Sequence, residues 1–198
     1  MIAVLTRDQL LEMFRRSNAL LRGHFELSSG LHSGHYFQCA QIMQHPRYAE
    51  RIGREFARRF RSARPTAVIG PAVGGVIVSF VTAQGLGARA MYCERVDAEM
   101  QLRRGFTLTK KDRVLIIEDA VTTGESSRKV AMLVRSFGAK VVGIGTVLDR
   151  SGGKLTFPGI RFARLFKLAF ETFPPTDCPL CSEGIPATRP GRVKALVI

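Results

Sequence analysis

The feature that most constrains the fold is an alternation of short apolar runs with helical segments between residues 67 and 148. The apolar runs predict buried strands at 67–70, 89–94, 114–117 and 141–148. Apolar residues at helical spacing predict helices at 75–84, ended by Gly85, and at 126–137, capped by Gly138. The run VLII at 114–117 is apolar on both faces, as in a central parallel strand. We therefore predict an α/β fold with a central parallel sheet flanked by helices.

Two further helices are predicted ahead of this alternation. Thr6 and Gln9 have the spacing of a capping box, and apolar residues at helical spacing extend this first helix to Gly23. Pro46 suits the first turn of the second helix, where its missing N–H group is harmless. The segment 25–37 between them is rich in Ser, Gly and His, which predicts a loop or an irregular hairpin.

Length and charge limit the classes of protein. A chain of 198 residues predicts a single domain, and it contains no apolar stretch of the ~18–20 residues that span a membrane. The N-terminus lacks the basic region and cleavage site of a signal peptide, so we expect a cytoplasmic enzyme. The net charge of +14 attracts anions, either nucleic acid or a small polyanionic substrate. No nucleic-acid-binding signature accompanies the arginines, so we do not expect nucleic acid as a partner.

The segment VLIIEDAVTTGESS carries the chemistry. Glu118 and Asp119 follow its buried run at the carboxyl end of a strand, where open parallel sheets bind ligands. The turn from Thr122 to Gly124 then leads into a helix, whose first N–H groups and dipole favour a phosphate. The two acids suit ribose hydroxyls, or magnesium through water. Acids followed by such a turn predict a receptor for a ribose 5-phosphate, and neither a P-loop nor a Rossmann fingerprint is present.

This segment resembles the phosphoribosyl pyrophosphate (PRPP) motif of the type I phosphoribosyltransferase family. The resemblance implies that the acids hold the ribose hydroxyls, with Asp119 in a catalytic role, and that the turn binds the 5-phosphate. The segment IGPAVGGVIV resembles the family's pyrophosphate-contacting loop, in which Gly74 and Gly75 let the backbone approach closely. The PRPP-binding residues so predicted are Arg95, Glu118, Asp119, Ala120, Val121, Thr122, Thr123, Gly124, Glu125, Ser126, Gly74 and Gly75.

Two other segments resemble orotate phosphoribosyltransferases within that family. GHFELSSGLHSGHYFQCAQI is similar to their N-terminal base-binding region, which implies that Tyr36 and Phe37 line the orotate ring. VLDRSGG places Arg150 where the family pairs an arginine with the orotate carboxylate, and Thr122 also belongs to this orotate site. The implied reaction transfers ribose 5-phosphate from PRPP to N1 of orotate. It gives orotidine 5′-monophosphate and pyrophosphate, with Mg²⁺ bound beside PRPP.

The segment 96–109 departs from the family's lid, R-K-x-x-K-x-H-G. It is polar and basic, and at about 14 residues without a clear period it is typical of a lid. The lid's catalytic Lys and His are not matched. We predict that Arg103 and Arg104 replace them as catalytic donors to pyrophosphate. The family also implies a homodimer in which each lid reaches the neighbouring subunit's site.

The resemblance further implies an organisation within the single domain, 1–198. Residues 1–45 and a C-terminal segment would form a small hood over the base, residues 46–153 the PRPP-binding core, and residues 174–198 a Pro-rich, extended tail. Two alternatives are a purine phosphoribosyltransferase and a PRPP-sensing regulator on the same fold. Asp149-Arg150 argues against the first, and the N-terminus is too short for the DNA-binding element that the second requires.

Cys178 and Cys181 form a single C-x-x-C in the tail. One such pair cannot supply the four ligands of a structural zinc ion. The pair is therefore open to three interpretations: a structural or incidental pair, half of a metal site completed elsewhere, or a disulfide. No metal ligands are assigned from the sequence.

Overall fold

A computed structural model describes residues 4–27, 29–168 and 170–189 of the chain. Its helices are α1 (Arg7–Arg16), α2 (Cys39–Met43), α3 (Pro46–Phe60), α4 (Gly75–Leu86), α5 (Glu125–Ser136) and α6 (Pro179–Ser182). Its strands are β1 (Leu20–Glu26), β2 (His32–Phe37), β3 (Ala67–Pro71), β4 (Arg89–Val96), β5 (Glu99–Leu102), β6 (Arg113–Val121), β7 (Lys140–Asp149) and β8 (Phe162–Lys167). β1 and β2 pair as a separate antiparallel hairpin.

The remaining six strands form one sheet in the order β5-β4-β3-β6-β7-β8. Only β5 is antiparallel to its neighbour, so the predicted α/β fold with a parallel central sheet is confirmed. Both faces of the sheet are covered. Leu115 and Ile117 of β6 pack in a cluster with α1 to α4, whereas Val114 and Ile116 pack in a second cluster with α5. All four side chains are fully buried, which is worth about 1.5–3 kcal/mol for each.

Helix α3 begins at Pro46, as predicted, and lies against α4. Its residues Ile52, Phe56 and Phe60 are fully buried in the cluster on that face of the sheet. Gly53 permits the close approach of the two helices, because a Cβ atom there would lie 2.6 Å from the backbone of Val81. Larger side chains at that position would separate α3 from α4.

The capping box at the start of α1 is confirmed, because Thr6 and Gln9 exchange both hydrogen bonds. The prediction that this helix continues to Gly23 is wrong. It ends at Arg16, and Asn18 then adopts a left-handed conformation with φ of 51°. The chain from residue 20 onward pairs with β2, which confirms the irregular hairpin, with a register shift between Arg22 and Phe25.

The predicted end of α4 at Gly85 is also wrong. The helix continues to Leu86, and Gly87 caps it in the left-handed conformation with φ of 68°. A Cβ atom on Gly85 would lie 3.0 Å from the Cβ atom of Ala57 in α3. Gly85 therefore serves the packing of two helices rather than the termination of one.

The segment 96–109 is more regular than the sequence predicts. Residues Glu99–Leu102 form β5, which pairs antiparallel with β4 through a tight turn. The two turn residues, Asp97 and Ala98, have φ values of 48° and 69°, the conformation of a two-residue hairpin turn. Lys129 of α5 supports this turn by donating a hydrogen bond to the Ala98 carbonyl at 2.7 Å.

None of the helices in the described part of the chain is long and apolar enough to cross a membrane.

Candidate active site

A cavity of about 550 Å³ opens at the carboxyl ends of β6 and β7. Its floor is the turn between β6 and α5 together with the residue after β7. Its other wall comes from the loop of the β1–β2 hairpin and from the chain that follows β8. The lining residues are Leu27, Ser29, Leu31, Glu118, Ala120, Val121, Thr122, Thr123, Gly124, Glu125, Ser126, Arg150, Phe170 and Thr172.

The turn at the start of α5 has the geometry of an anion site. Gly124 adopts φ of 74°, and a Cβ atom there would lie 2.9 Å from the ring of Phe157, so both conformation and space require glycine. The turn brings the first N–H groups of α5 to the cavity, where the helix dipole favours negative charge. Glu125 stands in this first turn, but its carboxylate pairs with Lys129 at 3.1 Å, which offsets its charge.

The two acids of β6 point to opposite faces of the sheet, as neighbours in a strand must. Glu118 lines the cavity and accepts a hydrogen bond from Ser127 of α5. Burial raises the pKa of Glu118 to about 7 and also raises the pKa of Asp119. Asp119 lies on the α4 side, against Gly74. Glu118 therefore lies on the α5 side of the sheet, whereas Asp119 faces the predicted pyrophosphate loop.

That loop leads into α4 beside the carboxylate of Asp119. A Cβ atom on Gly74 would clash with the Asp119 carboxylate, and one on Gly75 would lie 2.9 Å from Cδ of Pro71. Both glycines are needed for this close approach, as the sequence indicated. The peptide bond between Ala72 and Val73 is cis, and the Val73 side chain is 86% exposed.

Arg150, the residue after β7, stands beside the turn at the floor of the cavity, where its backbone N–H group donates to the Val121 carbonyl at 2.8 Å, and its guanidinium is half-buried. The preceding Asp149 is fully buried and pairs with Arg164 at 2.6 Å, so it does not neutralise Arg150. Within the described ranges, Arg150 makes no ion pair. Burial lowers the pKa of Arg150, and the electrostatic interaction with Tyr36 opposes this shift. A cation in this setting, beside the turn in the same cavity, is suited to an anionic group of a bound molecule.

The two aromatic residues predicted to line the base have different positions. Tyr36 is half-buried, interacts electrostatically with Arg150 and packs against Phe25, with ring centroids 5.7 Å apart. It is not among the residues that line the cavity. Phe37 is 5% exposed and packs edge-on against Phe14, with ring centroids 4.8 Å apart. Its side chain therefore belongs to the core and does not line the cavity, which corrects the prediction. Alternation along β2 explains this difference, since adjacent side chains point to opposite faces.

The sequence did not identify Phe170 and Thr172 as cavity residues. Both follow β8 in a short segment with neither a motif nor a period. Phe170 stacks on His35 of the hairpin, with ring centroids 5.2 Å apart and planes at 6°. Phe170 therefore supplies the aromatic ring at the cavity that the sequence analysis assigned to Phe37.

The predicted lid arginines lie outside the cavity wall. Arg104 and Arg103 both reach Glu94 of β4, at 2.9 Å and 3.4 Å, and these arginines lower the pKa of Glu94. Arg95 is exposed on the same strand and does not line the cavity either. These three residues stay predicted contributors to pyrophosphate binding and catalysis.

A family model for the phosphoribosyl transferase domain matches residues 38–156, which include β3 to β7 and every element of the turn and acid site. The chain belongs to the phosphoribosyltransferase family. The type I phosphoribosyltransferase fold that the sequence predicted is confirmed by this match and by the solved structures below.

Proteins similar to this phosphoribosyltransferase over nearly their whole length carry the name orotate phosphoribosyltransferase. The one from Caldanaerobacter subterraneus subsp. tengcongensis is 48% identical over 188 residues, covering 95% of this chain and 98% of its own. The crystal structure of the Mycobacterium tuberculosis orotate phosphoribosyltransferase with Fe(III) dicitrate has a TM-score of 0.68 and 27% identity, over 82% of this chain and 96% of that one. The crystal structure of orotate phosphoribosyltransferase from Aeropyrum pernix has a TM-score of 0.68 and 26% identity, over 80% of this chain and 93% of that one.

Proposed function

We propose that this phosphoribosyltransferase is an orotate phosphoribosyltransferase, which transfers ribose 5-phosphate from PRPP to N1 of orotate in pyrimidine biosynthesis. The observation that carries this proposal is the shared cavity of the 122–126 turn and Arg150. The turn suits a phosphate and the Arg150 guanidinium suits a carboxylate, which are the two anionic groups of orotidine 5′-monophosphate. The relatives named orotate phosphoribosyltransferase support the same reaction.

The substrates can be assigned to parts of the cavity lining by charge. The 5-phosphate would accept hydrogen bonds from the turn and the first N–H groups of α5. The ribose hydroxyls would lie near Asp119, and pyrophosphate would lie over the backbone at Gly74 and Gly75. Orotate would then bind between Thr122 and Arg150, with its ring near Tyr36. In this arrangement N1 of the base faces the anomeric carbon of PRPP.

Catalysis would then rest on positioning and on charge. As the bond from the ribose to pyrophosphate breaks, positive charge develops on the sugar and negative charge on the leaving group. Asp119, held near the sugar, would stabilise the positive charge, and arginines from the 96–109 segment would stabilise the negative charge on pyrophosphate. Orotate binding as its N1 anion needs no general base. The 96–109 segment, acting as a lid over the site, would exclude water, which otherwise hydrolyses PRPP.

A magnesium ion fits this donor set through Asp119. Mg²⁺ is commonly held by one or two carboxylates and by substrate phosphates. Glu118 suits it less, because its carboxylate is bound by Ser127 and its pKa is about 7. When bound with PRPP, Mg²⁺ neutralises charge on the departing pyrophosphate.

A homodimer is part of this proposal. Arg103 and Arg104 do not line their own cavity, and they follow β5 with both side chains exposed. A segment in that position can reach a neighbouring subunit's site, as the family resemblance implies. We further propose a cytoplasmic location, because both substrates are charged metabolites of the cell interior.

A purine phosphoribosyltransferase is the alternative within the family. A neutral purine would leave the Arg150 cation in the cavity without an anionic partner, at an energetic cost. The discriminating experiment follows PRPP consumption by the purified chain with Mg²⁺ and each of orotate, hypoxanthine and xanthine. We expect consumption with orotate alone. Turnover of hypoxanthine or xanthine without turnover of orotate would contradict the proposal.

A further inference from the structure

A second cluster of reactive side chains lies outside the cavity, where the β1–β2 hairpin meets the C-terminal segment. His24 and His32 come from the two strands of the hairpin, and Cys178 and Cys181 come from the start of α6. One nitrogen or sulfur atom from each of the four lies within 4.8 Å of all the others. Three of the residues are buried, Cys181 is exposed, and both cysteines are free thiols.

The spacing of these atoms is close to that of a tetrahedral zinc site. Zn–N bonds of about 2.05 Å and Zn–S bonds of about 2.3 Å place N and S ligands about 3.6 Å apart, and two N ligands about 3.4 Å apart. The Cys178 sulfur lies 3.5 Å from Nε2 of His24, and the Cys181 sulfur lies 3.8 Å from the same atom and 3.3 Å from Nδ1 of His32. The two ring nitrogens are 2.8 Å apart, so the imidazoles must separate by about 0.6 Å to admit an ion.

A neighbouring backbone group orients one of the histidines as a ligand. Nδ1 of His24 lies 2.6 Å from the carbonyl oxygen of Ile185, to which its N–H group donates. This hydrogen bond leaves the lone pair of Nε2 directed at the cluster. Metal-bound histidines almost always donate their other ring N–H group in this way, and such a contact fixes the ring tautomer and orientation.

We propose that His24, His32, Cys178 and Cys181 bind a structural Zn²⁺ ion. Two thiolates and two imidazoles without a carboxylate select zinc over magnesium or calcium. Four protein ligands complete a tetrahedral shell and leave no open position, so the ion has a structural role and not a catalytic one. Of the three interpretations of the C-x-x-C, this is the half-site completed elsewhere, by histidines about 150 residues away.

The ion would fasten the C-terminal segment to the hairpin. The protein contacts there include a bridge between Phe25 and Thr188, a bridge between His32 and Phe173, and an ion pair between Arg189 and Glu26. Exposed ion pairs contribute little to stability. The hairpin loop and Thr172 both line the same wall of the cavity, so the ion would hold the two segments of that wall together.

The test is the zinc content of the purified, untagged chain, measured by inductively coupled plasma mass spectrometry. We expect about one zinc per chain, and its loss in Cys178→Ala, Cys181→Ala and His32→Ala. Cys93→Ala is the matched control, since Cys93 is an equally buried free thiol outside the cluster, and His45→Ala is the control for an exposed histidine. Both controls should retain the metal.

Cobalt substitution provides a second measurement that needs no variant. Adding Co²⁺ to the chelator-treated wild-type chain should give the intense d–d bands of a tetrahedral ion together with thiolate-to-cobalt charge transfer. The spectrum therefore decides the matter even if the cysteine variants fail to fold. A wild-type chain that holds no zinc and gives no thiolate–cobalt band would overturn the proposal. Retention of zinc by the Cys178→Ala/Cys181→Ala double variant would overturn it equally.

Discussion

Replacing Arg150 with alanine removes the only cationic side chain among the residues that line the cavity, since the other charged lining residues are Glu118 and Glu125. The Arg150 guanidinium is half-buried, and its neighbour Asp149 is already paired with Arg164. An orotate carboxylate bound there would lose a charge-assisted, bidentate partner. The loss of one partner of such a pair costs about 2–4 kcal/mol, which corresponds to a fall in affinity of about 30- to 1,000-fold.

The assay is steady-state kinetics with each substrate varied separately, supported by direct binding of orotate. Arg150→Ala should raise the KM and Kd for orotate by that factor and leave the KM for PRPP nearly unchanged. Arg150→Lys keeps the charge but not the planar fork, so it should be intermediate. Arg135→Ala, on the exposed end of α5, is the matched control for a lost positive charge. Equal losses for both substrates would refute the assignment and make Arg150 a structural residue.

Three further predictions concern the acids and the lid. Asp119→Asn should raise the KM for PRPP and lower kcat, reducing kcat/KM about 10- to 100-fold through a lost charge-assisted contact, while circular dichroism shows the fold unchanged. Arg103→Ala and Arg104→Ala should each lower kcat by a factor on the order of 10²–10³ without changing orotate affinity. If the lid acts across the dimer, heterodimers that combine an Arg104→Ala subunit with an Asp119→Asn subunit should regain activity. Because burial raises the pKa of Glu118 to about 7, ionising it weakens the folded state as the pH rises from about 4.5 to 7. The free energy of unfolding of Glu118→Gln should therefore rise relative to that of wild type by roughly 2–3 kcal/mol between pH 5 and pH 8, as measured by urea unfolding. A difference between the two proteins that is equal at both pH values would contradict the buried, protonated carboxyl.

The parts of the fold and site that the sequence predicted are those encoded in one continuous stretch. The buried strand, the acids, the turn and the start of α5 lie within residues 114–126, so local rules place them together. Arg150 could be placed for the same reason, because it directly follows β7 and parallel strands end at one edge of the sheet.

The errors arose where a local pattern had two physical interpretations. Leu21 continues the helical spacing of α1 by coincidence, while hairpin pairing decides its actual conformation. Gly85 looks like a helix terminator, but it lies against Ala57 in a helix–helix contact that only tertiary structure creates. Tyr36 and Phe37 were both assigned to the base, although adjacent residues of a strand cannot share a face.

Contacts between distant segments could not be read from the sequence at all. Phe170 and Thr172 reach the cavity only because β8 runs parallel to β7 and returns the chain to the same edge. The two histidines of the proposed zinc site meet the two cysteines only after the C-terminal segment has docked on the hairpin. Of the predicted tail, 174–198, residues 175–177 and 179–182 form short helical turns, which corrects the expectation of an extended chain. Residues 190–198 lie outside the described residues.

The central claim is that the turn at 122–126 and Arg150 bind the two anionic ends of one nucleotide. A crystal structure of the chain with orotidine 5′-monophosphate tests it most directly. The account predicts the phosphate at the N-terminus of α5, within hydrogen-bond distance of the turn, and the base carboxylate paired with Arg150. A nucleotide bound with its phosphate elsewhere, or with its carboxylate in solvent and Arg150 unpaired, would contradict the account.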